Sequence, residues 1–197
     1  MQTFDSIKRS LDKYIDLTED EFEIFCSYLE KQTLKKKEVF LRAGDVCRHV
    51  FFINSGCMRY FYTVDGEERI GQFFTENDWF TEYESFLTQR PSTQTIDALE
   101  PCDLLVLSYQ HLQMLYTVIP KFERFGRLMA EQNFIGVKHR YSPLLNETPE
   151  ARYLHLIQTR PQLIQRIPQH YLASFLGIKP ESLSRIRKRI YQNRPLS

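Results

Sequence analysis

The sequence predicts an α+β protein in which an antiparallel β-roll is flanked by helices on both sides. Three observations carry that reading. Short apolar and aromatic runs separated by turn signals fill the stretch from Leu34 to Leu107. Apolar residues at three- and four-residue spacing come before and after it. Charge is segregated: from Arg160 to Ser197 there are eight Lys/Arg against one acid, Glu181, although the net charge of the 197 residues is only +1. A basic terminal segment on an acidic remainder is the footprint of a polyanion binder.

The first helices are expected between residues 3 and 31. Phe4, Ile7, Leu11, Tyr14 and Ile15 keep helical spacing, and "LTEDEFEIFCSYLEK" opens a second helix in which Thr18 and Glu21 form a capping box. The β-roll follows, with strands in "VFLRAG", "HVFFINSG", "CMRYFYTV", "ERIGQFF" and "CDLLVL". Ala43-Gly44-Asp45, Asn54-Ser55-Gly56 and Asp65-Gly66-Glu67 supply the turns. Strands this short and this evenly spaced suit a small barrel or jelly roll. Helix returns from Ser108 to about Tyr141, with Pro120 opening its longer part, an amphipathic face over Phe122, Phe125 and Met129. "SPLLNETPEAR", with two prolines, reads as a linker. It places a boundary between residues 1–141 and 142–197, with Asn146 or Thr148 capping the next helix.

Composition bounds the function. At 42% hydrophobic and 26% charged residues the chain is an ordinary globule. It has no apolar run near the roughly 20 residues of a membrane span. Met1–Leu11 carries Asp5, Lys8 and Arg9 and no apolar core of a signal peptide, so a cytoplasmic protein is expected. Cys26, Cys47, Cys57 and Cys102 show no C-x-x-C spacing, and the five histidines are scattered, so neither a metal nor a catalytic centre is expected. A cupin-type enzyme would need a His/His/Glu ligand set on neighbouring strands, and His49 alone lies in the barrel region. The aromatics Tyr60, Tyr62, Phe73, Phe74, Trp79 and Phe80 are expected to pack inward as core, the alternative being the lining of an apolar cavity for an aromatic or lipid-like effector.

The segment "LASFLGIKPESLSRIRKRI", Leu172 to Ile190, is the most informative. Pro168 starts a short helix whose Tyr171, Leu172, Phe175 and Leu176 form one apolar face. Gly177 ends it, Ile178 plugs the core, and Pro180 starts a second helix. Two helices joined by a glycine turn are a helix-turn-helix. In the second helix Leu183, Ile186 and Ile190 face the core, leaving Glu181, Ser184, Arg185 and Lys188 outward with Arg189 near them. Arginine, glutamate and serine are base-reading side chains, and Arg187, Lys188, Arg189 and Arg194 suit phosphates.

These residues resemble the helix-turn-helix of the Crp/Fnr transcription regulators, and Val39 to Glu82 resembles their cyclic-nucleotide-binding β-roll. The likeness runs from about Leu34 to Ile190, in the order barrel, long helix, winged helix-turn-helix, and is nearest to the short members common in Bacteroidetes. It implies a homodimer built on the helix at about 120–141. It implies that Glu181, Ser184 and Arg185 touch base edges of double-stranded DNA, with Lys179, Pro180, Ser182, Arg187, Lys188, Arg189 and His170 beside them. Pro180 stands where some relatives carry a contacting arginine. The family's effector pocket maps to Thr81, Glu82, Ser92 and Thr93. Thr81-Glu82 replaces Gly-Glu, and Ser92 stands where nucleotide-binding members have arginine. Cyclic AMP and other cofactors are therefore not expected, and any effector is an unidentified small molecule. RNA polymerase is a further implied partner. Only Tyr191–Ser197 follow the second helix, so wing strands are expected before Pro168, as in "QLIQRI". The alternative is a small-molecule-binding β-roll whose terminal helices mediate interaction rather than DNA binding.

Overall fold

The structure, a computed structural model, describes residues 4–192, with Tyr191 described by its main chain alone. Arg194 lies outside the described residues. The fold is the expected mixture of antiparallel β-roll, long helix and C-terminal helices. Its contacts divide it into two compact units. One runs up to Thr63 and includes Gly71–Asn133; the other is Val64–Ile70 together with the residues from Phe134 onward.

The first unit opens with α1 (Asp5–Leu11) and α2 (Glu19–Ser27). The Thr18 hydroxyl accepts from Glu21 N, and the Glu21 carboxylate accepts from Thr18 N at 2.8 Å, closing the expected capping box. The helix ends sooner than its sequence suggests. Leu29–Leu34 is strand β1, although Leu-Glu-Lys reads as helix. Its residues pair with β8 (Cys102–Ser108), from Leu29 opposite Leu107 to Leu34 opposite Cys102. Tertiary pairing overrides a modest helix propensity.

Two four-stranded sheets form the roll. One has the order β1-β8-β3-β6, with β3 at His49–Ser55 and β6 at Trp79–Phe80. The other has the order β2-β7-β4-β5, from Val39–Leu41, Thr95–Ala98, Met58–Val64 and Glu67–Phe74. Phe51, Ile53, Met58, Ile96 and Leu104 are buried in the core of the roll, while Phe52 packs against Trp79 on the opposite face of its strand. Asp65 and Gly66 both take positive φ (53° and 78°), the pair of left-handed residues that a tight hairpin turn needs. The expected inward packing of aromatics holds for Phe73, Phe74 and Phe80, which are buried, while Tyr60 lies parallel to Phe80 with ring centres 6.0 Å apart. A short helix, α3 (Tyr83–Thr88), interrupts the strands.

After the roll come α4 (Tyr109–Val118), capped by Ser108, and α5 (Lys121–Asn146). The expected linker from Ser142 is thus largely helix. α5 continues through Pro143 to Asn146, and α6 (Pro149–Thr159) starts almost at once, with the Thr148 hydroxyl accepting from Ala151 N. Proline inside a helix removes one main-chain donor. At the helix end Arg152 donates to Pro143 O, which also accepts from Glu147 N, and to Glu147 O (2.6 Å). The expected wing strands are also absent from their place: Pro161–Arg166 is helix α7, opened by Pro161 and anchored by buried Leu163. A proline at the first helical position and a single inward leucine suit one helical turn better than a strand.

Candidate nucleic-acid interface and effector pocket

Within the second unit, α8 (Gln169–Phe175) and α9 (Pro180–Gln192) form the helix-turn-helix. Leu172, Ala173 and Leu176 of the first, and Leu183 and Ile186 of the second, are buried with Tyr153, Leu156, Leu163 and Ile167. The turn is a closed helix terminus. Gly177 has φ 68°, its N–H donates to Ser174 O, and Ile178 N donates to Ala173 O. That is the paired bonding of a Schellman end, which uses a left-handed residue to satisfy the helix's last carbonyls.

Two side chains hold this motif that sequence reasoning did not find. Arg152 donates to Leu176 O at 3.1 Å, in addition to its two bonds at the end of α5. Arg140 donates to Phe175 O (2.6 Å) and Ile70 O (3.3 Å), with its guanidinium 3.9 Å from the centre of the Phe175 ring. Ser174 Oγ accepts from Ile70 N and donates to Glu68 O, both at 3.0 Å, so the first residues of β5 are bonded to α8. The only signal in the sequence was arginines at uncommitted positions.

The expected DNA-reading residues divide into two sets. Glu181, Ser184, Arg185 and Lys188 are exposed and share one face of α9, at positions i, i+3, i+4 and i+7. Lys179, Pro180 and His170 are exposed at the turn and on α8, and Ser182 is half-buried. Arg187 and Arg189 are turned toward their own domain. Arg187 donates to Gln169 Oε1, and Arg189 pairs with the Glu150 carboxylate. Among the described residues Arg185, Lys188 and Lys179 have no carboxylate partner. The outward field of α9 is therefore cationic, with Glu181 the acid at its start.

The residues mapped to the effector pocket are mostly engaged with their own main chain. Glu82 caps α3: one carboxylate oxygen accepts from Glu84 N at 3.2 Å and the other from Ser85 N at 2.9 Å. Thr81 is buried and donates to His49 O. Ser92 is buried too, and its hydroxyl accepts from Gln94 N and donates to Gln94 O. Thr93 is exposed. Ser85, beside Glu82, accepts from Cys47 N and donates to Arg90 O. The basic side chain inside the roll, Arg59, is matched to Asp97 across β4 and β7 by two parallel bonds of 2.7 and 2.9 Å. A bidentate pair of this kind leaves little positive potential for a phosphate. His49 is held below its usual pKa, chiefly by burial.

No group of three or more His, Cys, Asp or Glu comes together as a metal site among the described residues. Nor is any described helix long and apolar enough to cross a membrane.

The chain thus joins an antiparallel β-roll to a C-terminal helix-turn-helix. A family model described as the cyclic nucleotide-binding domain matches residues 31–117. The cAMP-activated global transcriptional regulator CRP of Pasteurella multocida is 24% identical over 183 residues, spanning 84% of this chain and 85% of its own. Among solved structures, the c-di-GMP responsive global regulator CLP of Xanthomonas campestris aligns with a TM-score of 0.71 at 18% identity, covering 89% of this chain and 93% of its own. A crp/fnr-family regulator from Eubacterium rectale aligns with a TM-score of 0.69 at 16% identity, covering 89% of this chain and 84% of its own. The chain therefore carries a match to the cyclic nucleotide-binding domain over residues 31–117, is similar to CRP over most of its length, and shares the fold of the crp/fnr-family regulator.

Proposed function

We propose that this chain is a sequence-specific DNA-binding transcription regulator, working as a cytoplasmic homodimer, whose β-roll does not respond to cyclic AMP. The exposed stripe Glu181, Ser184, Arg185 and Lys188 carries the proposal. It puts a bidentate donor, an acceptor and a hydroxyl along one helix face, the set that discriminates base edges in a major groove. The dimer reading rests on α5, where Phe134, Val137, Tyr141 and Leu145 are all exposed, Phe134 by 75% and Leu145 by 89%. Large apolar side chains at that spacing on a long helix favour burial against a second helix. The reading against cyclic AMP rests on Glu82 being taken as a helix cap and Arg59 being neutralised by Asp97.

Retardation of fragments of the source genome at about 50 mM salt tests this. Three free cations per protomer, Lys179, Arg185 and Lys188, make six in a dimer. The logarithm of affinity should then fall with the logarithm of salt at a slope of about −5. Cyclic AMP should leave the curve unmoved. A protein that retards no fragment, or retards all with equal affinity, is not the regulator described here.

A further inference from the structure

The first unit contains an apolar pocket that meets the mapped effector residues only at Thr81. It lies between the β1-β8-β3-β6 sheet and the helices stacked on it, and has a volume of about 90 Å³. Trp79 and Leu107 form its floor, Met129 and Gly126 of α5 its far wall, and Tyr83 and Tyr116 its polar points. It shares Thr81 with the mapped pocket but none of Glu82, Ser92 or Thr93. Leu87 and Ala130 are the exposed members of its lining and mark its mouth.

We propose that this cavity binds a small monocyclic apolar molecule bearing one hydrogen-bond acceptor, such as a cyclic ketone. Its volume is below that of the engineered cavity of roughly 150 Å³ known to take benzene, so a single ring enters with one edge left in the open mouth between Leu87 and Ala130. Its wall is almost wholly carbon, which disfavours water, since a buried water needs two to four polar partners. The two phenols give the site its chemistry. Neither hydroxyl is hydrogen bonded to another protein group among the described residues. Burial raises both, Tyr83 to about 12, so both remain neutral O–H donors. The Tyr116 hydroxyl lies directly over Gly126: a Cβ there would come within 2.5 Å of it. Glycine inside a helix costs about 1 kcal/mol against alanine. Here it leaves room for a phenol at the edge of the cavity. Two donors without a protein acceptor, beside a mostly apolar wall, fit a ligand that brings the acceptor itself.

Trp79 is the chain's single tryptophan and reports on the site directly. The full-length protein is titrated with cyclohexanone and, separately, with methylcyclohexane. Trp79 emission and the methyl resonance of Met129 are followed. Cyclohexanone should give a saturable change in both. The double variant Tyr83→Phe/Tyr116→Phe keeps the shape and loses the donors. It should weaken cyclohexanone about three- to tenfold and leave methylcyclohexane unaffected. No saturable change at either reporter in the wild-type protein, unchanged ketone affinity in the double variant, or equal weakening of both compounds would overturn the proposal.

Discussion

Arg152 joins two chain ends through one guanidinium, and replacing it with methionine tests whether that junction holds the helix-turn-helix. The substitution keeps the apolar stem and removes three bonds, to Leu176 O, Pro143 O and Glu147 O. A bond from a charged donor is worth about 1.5–3 kcal/mol when buried. Arg152 is half-buried and Glu147 exposed, so water replaces much of what is lost. About 2 kcal/mol in all is the reasonable remainder. For a chain of this length that lowers the melting temperature by about 4–8 °C. The assay is thermal unfolding followed by the helical far-UV signal, with Arg152→Lys as companion. A lysine has three donors on one point and cannot span three separated carbonyls, so it should recover less than half of the loss. An unchanged melt for Arg152→Met, or full recovery by lysine, would refute the reasoning.

Three further outcomes follow from the same geometry. Gly177→Ala forces a Cβ into a left-handed residue and to 3.1 Å from Leu144 Cδ2. It should destabilise the protein by about 1–2 kcal/mol, read as a lowered urea midpoint. Arg185→Ala should weaken specific DNA binding by about 1–3 kcal/mol, whereas Arg189→Ala, whose guanidinium is committed to Glu150, should change it much less. Fluorescence anisotropy on one labelled duplex distinguishes them. His49 has a folded pKa below the ordinary 6.5, mainly through burial, so as pH falls the unfolded chain takes the proton first. Its contribution to stability is intact above about 6.5 and is lost as pH drops toward the folded value. His49→Gln should flatten that part of the stability curve, and urea midpoints across the window show whether it does.

Local signals in the sequence transferred well where the physics is local. The Thr18–Glu21 box, the Asp65-Gly66 turn and the Gly177 terminus each depend on a few adjacent residues, and each stands in the structure as read. The outward stripe of α9 was legible because Leu183 and Ile186 fix the helix's rotation. What was misread depends on distant partners. Leu29–Lys31 is strand because Leu105, Val106 and Leu107 lie opposite it. Pro143 stays inside α5 where the end carbonyls find Arg152, nine residues on. Gln162–Arg166 is helix rather than wing, for its one buried leucine gives no two-residue alternation. The roles of Arg140 and of Glu82 as a cap were not readable: an arginine's acceptors, or a carboxylate's competing donors, appear only when the chain is folded.

The measurement that bears most directly on the regulator reading is selection of bound duplexes from a random pool by the full-length protein, repeated with Arg185→Ala. The account predicts a two-fold-related sequence with half-sites about one helical turn apart. In the variant the preference should be relaxed at one base pair of each half-site. Enrichment of no common sequence, or the same sequence at the same stringency from the Arg185→Ala protein, would contradict it.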